Sequence, residues 1–452
     1  MLLIDLNRQG GIGANALYIK LGAFSFIVDA GLNPKIAGLE AMPVYNEIED
    51  NSLDFIILSH CHLDHLGSLP VLVKRQPQAS ILMSFPSQMI APIMMRNSCN
   101  VMLKQRDELN IAEYPLYNHR DIKRVIKKIL PLHFGQPREF KSNGDRLDIT
   151  LYAAGHVVGA AGIGILHQKR KIFFTGDVHF TPQKTLPAAK FPKEKFDTLI
   201  IETTRGMTKR SIEKSRDREE KRLIKQIDTV LSNNGSCLIP VFALGRMQEI
   251  LTLIHEARNN GTLSESAIYC GGLGMVLANA FDEISRHSGL INFRCKILKD
   301  LMVKPLPTSL VPGKSPKRPG IFIVSSGMMV GNTPAYLVAS SLLGSPKNSI
   351  YFVGYCDPDT PGGKLLATPV GNNFLFEYLD FLCPVKAQIE KFDLSSHAER
   401  EDLLEFSMTA NPRTIVLTHG DTEAKNWFEK QIHSKTKAPK VLNPTPVRTY
   451  KL

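Results

Sequence analysis

Three imidazoles and a carboxylate fall within six residues of the segment Ser59-His60-Cys61-His62-Leu63-Asp64-His65. The apolar run Phe55–Leu58 before it reads as a strand. In an extended chain the i and i+2 side chains share a face, so His60 and His62 can hold one metal ion. The next turn carries Asp64 and His65 to a neighbouring position, where a second ion can bind. Nitrogen and oxygen donors of this kind favour zinc. Cys61, at the alternate position, faces away and packs. Two later residues extend the set. His156, in Ala154-Gly155-His156-Val157-Val158-Gly159-Ala160, offers the first metal a third nitrogen. Asp177, in Phe173-Phe174-Thr175-Gly176-Asp177, is placed to bridge the two. Either alone would be bland; beside the first motif both become ligands.

Such residues need elements that end together. Residues 1 to about 200 read as short apolar runs broken by Gly, Asn and Asp, the mark of strands. Ala16–Ile19, Phe24–Val28, Phe55–Leu58, Ile149–Ala153, Ile172–Phe174 and Thr198–Ile201 are the clearest. Several finish in polar clusters: Asp29, Ser59–His65, His156, Asp177 and Glu202. That pattern predicts a sheet sandwich with a metal site along one rim. From about 205 to 385, strands at Cys237–Phe242, Ile268–Cys270, Ile321–Val324 and Ile350–Val353 alternate with helices at Glu219–Leu231, Arg246–Arg258 and Gly274–Arg286. Strand–helix alternation implies a parallel α/β unit. After about 390 the rim pattern returns, with His397 after Phe392–Ser396 and His419 after Thr414–Thr418. The simplest account is one domain, 1–207 and 389–452, interrupted by an inserted one, 208–388.

Composition narrows the function classes. With 43% hydrophobic and 22% charged residues the chain can bury a large core. No apolar window is long enough for a transmembrane helix, and the amino terminus lacks the features of a secretory signal. The expectation is a cytoplasmic protein with no membrane partner. Seven scattered cysteines, none paired as C-x-x-C, argue against a disulfide framework or dithiol site. Fifty-five Lys and Arg against 43 Asp and Glu leave a charge of +12, which suits a polyanion such as nucleic acid. Gly11-Ile12-Gly13-Ala14-Asn15-Ala16 mimics a dinucleotide fingerprint. It runs on into a strand rather than a helix, so no nucleotide cofactor is expected. His119, His133, His167, His179, His255, His287 and His433 match no ligand position, and Trp427 reads as core. In the helix Glu219–Leu231, Leu223, Ile224, Ile227, Val230 and Leu231 turn inward, leaving Lys221, Arg222 and Lys225 as a solvated face, with an RNA track as the alternative.

In order and type these motifs resemble the metallo-β-lactamase superfamily, with its H-x-H-x-D-H loop, a later His and then an Asp. The remaining motifs resemble the β-CASP nucleases, the group containing the pre-mRNA cleavage endonuclease and ribonuclease J. Glu202 in Leu199-Ile200-Ile201-Glu202-Thr203-Thr204 resembles that group's motif A. His397 in Ser395-Ser396-His397-Ala398-Glu399 resembles motif B, and His419 in Val416-Leu417-Thr418-His419-Gly420-Asp421 motif C. Ile239–Glu249 and Ser325–Met329 are similar to stretches of its insert. The resemblance covers nearly the whole chain. It departs at Arg205, where the family commonly has Tyr, and at a longer loop over Gly354–Gly363.

The resemblance implies an α/β fold, an αββα sandwich carrying an inserted parallel α/β domain. It implies two zinc ions, one on His60, His62, His156 and Asp177, the other on Asp64, His65, Asp177 and His419. Asp29 would orient the ligand loop, and Glu202 and His397 would form a hydrogen-bonded pair beside the metals. Arg246, Ser325, Ser326, Ser395 and Ser396 adjoin the active site in the family; each could hold a substrate phosphate, with backbone capping as the alternative. A histidine at motif C accompanies RNA-processing members, so His419 points to RNA, single-stranded, as partner. The implied activity is that of a zinc-dependent ribonuclease in RNA processing or degradation, acting as endonuclease, exonuclease or both. A hydroxide bridging the two metals would attack phosphorus while His397, polarised by Glu202, protonates the leaving ribose oxygen. The ends would be 5′-phosphate and 3′-hydroxyl. Two rival readings are a DNA nuclease or phosphodiesterase, disfavoured by His419, and a non-catalytic RNA-binding scaffold, disfavoured by the retained ligands. A homodimer is left open.

Overall fold

The computed structural model describes residues 1–210, 215–436 and 439–452, and in it the chain divides into two compact units. The first comprises Met1–Pro182, Ala188–Lys209 and His397–Leu452; the second comprises Gln183–Pro187 and Arg210–Ser396. Among the described residues no helix is long and apolar enough to cross a membrane.

Two seven-stranded sheets form the first unit. One runs Thr449–Lys451, Leu2–Asp5, Leu17–Leu21, Phe24–Val28, Phe55–Ile57, Ser80–Ser84, Ile129–Leu132. The other runs Lys440–Leu442, Thr414–Thr418, Thr198–Glu202, Arg170–Phe174, Ala161–His167, Asp145–Ala153, Arg138–Ser142. Side-chain alternation explains why they pack face to face. Ile172, Phe174, Ile200 and Val416 share a core with Phe26, Val28, Phe55 and Ile57 of the other sheet. Their chain neighbours Phe173, Leu199, Ile201, Ile415 and Leu417 point the opposite way. They bury Leu403 and Leu404 of the helix Arg400–Ala410 and Phe428 and Ile432 of the helix Thr422–Lys435. Helices Phe85–Leu109 and His119–Lys128 pack on the strand Ser80–Ser84 of the other sheet. The unit is the expected helix–sheet–sheet–helix sandwich.

Strand direction sets the rim. Phe24–Val28, Phe55–Ile57, Ser80–Ser84 and Ile129–Leu132 are parallel neighbours, and so are Arg170–Phe174, Thr198–Glu202 and Thr414–Thr418. Their carboxyl ends therefore lie side by side within each sheet. The 25-residue helix Phe85–Leu109 falls where the sequence pattern marked no particular element. Its buried stripe, Ser87, Ile90, Ala91, Met95, Ser98, Cys99 and Met102, has helical spacing. Small and polar residues fill much of that stripe, so its apolar periodicity is faint.

The second unit holds a five-stranded parallel sheet in the order Ala267–Gly271, Gly320–Val324, Cys237–Pro240, Ser349–Phe352, Gln388–Lys391. Ile239, Ile268, Ile321 and Ile323 on one face pack against Leu223, Ile227, Ile250 and Ile254 of the helices Arg216–Ser232 and Arg246–Asn259. Leu238, Phe322, Ile350 and Phe352 on the other pack against Tyr336, Val338 and Leu342 of the helix Pro334–Leu342. Strands covered on both faces read as continuous apolar runs. The unit extends past 388 to Ser396, because Gln388–Lys391 pairs with Ser349–Phe352. It begins at Arg210 rather than 208. It also claims Gln183–Pro187, which no sequence feature marks: the Glu249 carboxylate accepts the backbone N–H of Lys184 and Thr185 and the Thr185 hydroxyl at 2.8–2.9 Å. Arg222, on the charged face of the helix Arg216–Ser232, is partly exposed and also stacks on Phe392 at 3.8 Å and pairs with Glu219 at 2.9 Å.

Candidate active site

The ligand loop is held from below by Asp29. This residue follows the strand Phe24–Val28, adopts φ +66° and is 1% exposed. Its Oδ1 accepts the Ser59 N–H at 2.7 Å, and its Oδ2 accepts the Ser59 hydroxyl at 2.8 Å and His65 Nδ1–H at 2.7 Å. A short helix, Leu63–Leu66, starts directly after His62 and turns Asp64 and His65 back over the loop. Gly31 permits the close packing there, since a Cβ on it would lie 1.8 Å from the Asp64 carbonyl oxygen. Cys61 is fully buried with its thiol on the Ser87 carbonyl, and burial pushes its pKa up to about 12.

Two groups of ligand atoms form above this loop. His62 Nδ1 lies 3.0 Å from His60 Nε2 and 3.2 Å from His156 Nε2. In the other group, His419 Nε2 lies 3.2 Å from both His65 Nε2 and Asp64 Oδ2. Within each trio the ligand atoms lie within 4.8 Å of one another. Asp177 stands between the trios. Its Oδ2 is 3.7 Å from the Nε2 of His60 and of His156 and 3.4 Å from that of His65, while Oδ1 is 3.3 Å from His419 Nδ1. Yet Asp177 Oδ1 is buried without a hydrogen bond. A buried carboxylate oxygen without a hydrogen bond is costly, and ring nitrogens this close must share protons or face a cation. The donor set fits metal ions. Burial, reinforced by the charge on His65, holds His60 well below its ordinary pKa, and burial takes His62 down to about 4. Both imidazoles are thus neutral, the form that ligates metal.

Beside the trios stand Glu202 and His397. His397 Nδ1 lies 3.1 Å from Glu202 Oε2 and 4.0 Å from Asp177 Oδ2. Val178 N–H donates to Glu202 Oε1 at 2.8 Å. Burial opposes a charge on His397, but Glu202, Asp177 and Asp64 outweigh it and raise its pKa above the ordinary imidazole value.

Three family profiles match the chain in order. They are the metallo-beta-lactamase superfamily domain over residues 18–208, the Beta-Casp domain over 221–365, and the Zn-dependent metallo-hydrolase RNA specificity domain over 383–444. The chain belongs to the β-CASP group of the metallo-β-lactamase superfamily. It is similar to Integrator complex subunit 11 of Danio rerio, at 27% identity over 93% of this chain and 69% of that protein. It is also similar to an RNase J-like protein of Methanocaldococcus jannaschii, at 27% identity over 97% of each. A crystal structure of a protein of unknown function from Enterococcus faecalis shares the fold, with TM-score 0.56 at 11% identity over 100% of this chain and 99% of that one.

As a β-CASP protein the chain is a metal-dependent hydrolase, and its fold recruits residues that the sequence reading passed over. His179, read as matching no ligand position, donates from Nδ1 to the His397 carbonyl at 3.2 Å and accepts the Thr181 hydroxyl at Nε2. Asn15 Nδ2 donates to the Asp64 carbonyl at 3.0 Å across 49 residues of chain, a pairing with no local signal. Thr204, beside motif A, joins Glu202 to His419 through its hydroxyl.

The five residues offered as phosphate contacts all fall in the second unit. Arg246 is 4% exposed, with Nη1 on the Leu394 carbonyl at 2.7 Å and Nη2 on Gln183, so protein oxygens take two of its nitrogens while Nε is buried without a hydrogen bond. Ser326 Oγ accepts the Val330 N–H at 2.9 Å, which is the capping alternative. The Ser325 carbonyl accepts the Ala335 N–H. Ser395 and Ser396 are each 8% exposed, and the Ser395 carbonyl takes Arg216 Nη1 at 3.0 Å. Arg205, at the position of the family's Tyr, is buried against Glu399 at 3.2 Å.

Proposed function

We propose that this β-CASP protein hydrolyses phosphodiester bonds of single-stranded RNA. Two zinc ions would be held by His60, His62, His156 and Asp177 and by Asp64, His65, Asp177 and His419. The observation that supports this reading most is the buried Asp177 Oδ1, which makes no hydrogen bond, where two trios of nitrogen and oxygen donors meet. RNA is favoured by the RNA specificity domain match over 383–444, by the RNase J-like relative and by the +12 charge. When bound, zinc neutralises phosphate charge and lowers the pKa of a water.

The remaining chemistry belongs to the side chains. Glu202 accepts His397 Nδ1–H, which leaves His397 Nε2 to carry the proton that the departing ribose 3′-oxygen needs. The cleaved ends are then 5′-phosphate and 3′-hydroxyl. Acid catalysis of this kind contributes roughly 10²–10⁴-fold. Zinc-loaded protein offered a linear and a circular RNA tests the reading. We expect zinc-dependent cleavage of the linear RNA, lost with chelator and in Asp177→Ala; opening of the circle identifies endonuclease action. Folded, zinc-loaded protein that leaves both RNAs intact overturns the proposal.

A further inference from the structure

The Thr204 hydroxyl sits at a junction. It lies 2.5 Å from Glu202 Oε2, 2.8 Å from His419 Nδ1 and 3.2 Å from the His419 carbonyl oxygen. A hydroxyl has one proton to donate and lone pairs to accept with. The carboxylate is both the nearest acceptor and the charged one, so the proton goes to Glu202. The oxygen lone pairs are then left for His419, whose Nδ1 must be the donor. His419 Nδ1 has one other oxygen nearby, Asp177 Oδ1 at 3.3 Å, but that atom makes no hydrogen bond. The Nδ1 proton therefore points to Thr204, while Nε2 faces the opposite way, towards the Asp64 carboxylate, where a proton or a metal ion can answer the charge. Nε2 is the nitrogen 3.2 Å from both His65 Nε2 and Asp64 Oδ2.

We infer that Thr204 is a positioning residue that fixes His419 as the Nδ1–H tautomer, so that Nε2 is the nitrogen offered to metal. The chain His419 Nδ1–H to Thr204 O–H to Glu202 also commits Glu202 to accepting only. His397 is thereby kept as a donor to the same carboxylate. One threonine couples the second ligand trio to the acid pair. The inference rests on the metal-dependent reading of this site, but its first test does not need metal.

Long-range ¹⁵N–¹H correlation of the histidine rings in zinc-free protein reads the tautomer directly. Wild type should show His419 protonated at Nδ1. Thr204→Val, which keeps the shape and removes the hydroxyl, should shift His419 towards Nε2–H. Thr204→Ser should restore the wild-type pattern. Zinc competition against a chelator gives the second readout. Thr204→Val should weaken one of the two zinc ions, the one held through His419, by about 10- to 100-fold, the usual cost of losing an outer hydrogen bond to a ligand. The other ion should be unaffected, and Ser should again rescue. A wild-type His419 that carries no proton on Nδ1, or a folded Thr204→Val variant with unchanged Nδ1 protonation and zinc affinity, overturns the inference. A protein that takes up no zinc sinks the proposed function instead, and the tautomer measurement still decides the role of Thr204.

Discussion

Asp29 Oδ2 and His65 Nδ1 lie 2.7 Å apart across 36 residues of chain, with both side chains buried. The same carboxylate takes the backbone and hydroxyl of Ser59, so one acidic group pins the start of the ligand loop and the imidazole near its end. It also turns His65 Nε2 towards Asp177 and Asp64. Outer carboxylates of this type set the ring orientation of a ligating histidine. Asp29→Asn keeps the size but presents one oxygen in place of two. Zinc affinity, measured by chelator competition, should fall by about 10- to 100-fold while the protein stays folded. Equal affinity in the variant would show that the loop holds its shape without Asp29.

Asp177 should decide metal content. Elemental analysis of protein purified without chelator should find two zinc ions in wild type and fewer in Asp177→Ala. Metal that binds only the folded chain also stabilises it, by about 2.7 kcal/mol when free zinc is 100 times its dissociation constant. Denaturant melts with and without zinc should show a stabilisation of that order in wild type and little in the variant. A variant with full zinc content and full zinc-linked stability would remove Asp177 from the ligand set.

His397 is argued from its place beside Glu202, so its test concerns the leaving group. A ribose hydroxyl departs only with a proton, whereas a nitrophenolate is stable as an anion. His397→Ala should cut RNA cleavage by roughly 10²-fold or more and slow a nitrophenyl phosphodiester much less. Glu202→Gln should show the same selectivity in milder form. Equal losses on both substrates, or loss of zinc, would make His397 a ligand or clamp rather than an acid.

Glu249 offers a stability test within the second unit. Burial opposes its charge, but Arg246, Arg216 and the donors of Lys184 and Thr185 prevail and bring its pKa from 4.5 down to about 2. A carboxylate depressed in the folded state contributes stability that is present above the unfolded value and lost as pH falls through the folded one. Glu249→Gln should cost roughly 3–5 kcal/mol at pH 7, the range for breaking a buried ion pair. The gap to wild type should narrow as pH drops from about 4.5 towards 2. A gap that does not change with pH would mean that the packing of Glu249, not its charge, matters.

The contrast between His60 and Arg246 shows what sequence alone could determine. His60, His62, Asp64 and His65 are neighbours in the chain, so the geometry of an extended segment followed by one turn already brings them close. Strand alternation likewise announces the sandwich, because Ile172, Ile200 and Val416 differ in kind from the polar residues that close their runs. The helix Phe85–Leu109 escaped because its buried stripe is largely small and polar. His156 and Asp177 could be added as residues that close strands, but the parts played by Glu202, His397 and His419 were legible only through resemblance, since parallel strands far apart in sequence bring them together. Asn15, Thr204 and the tie between Gln183–Pro187 and Glu249 were not legible at all. A hydrogen bond has directional reach of about 3 Å and no periodic trace in the chain. The fate of Arg246 follows from the same physics: a guanidinium looks identical in sequence whether a phosphate or the Leu394 carbonyl fills it, and only the packed backbone brings that carbonyl within 2.7 Å.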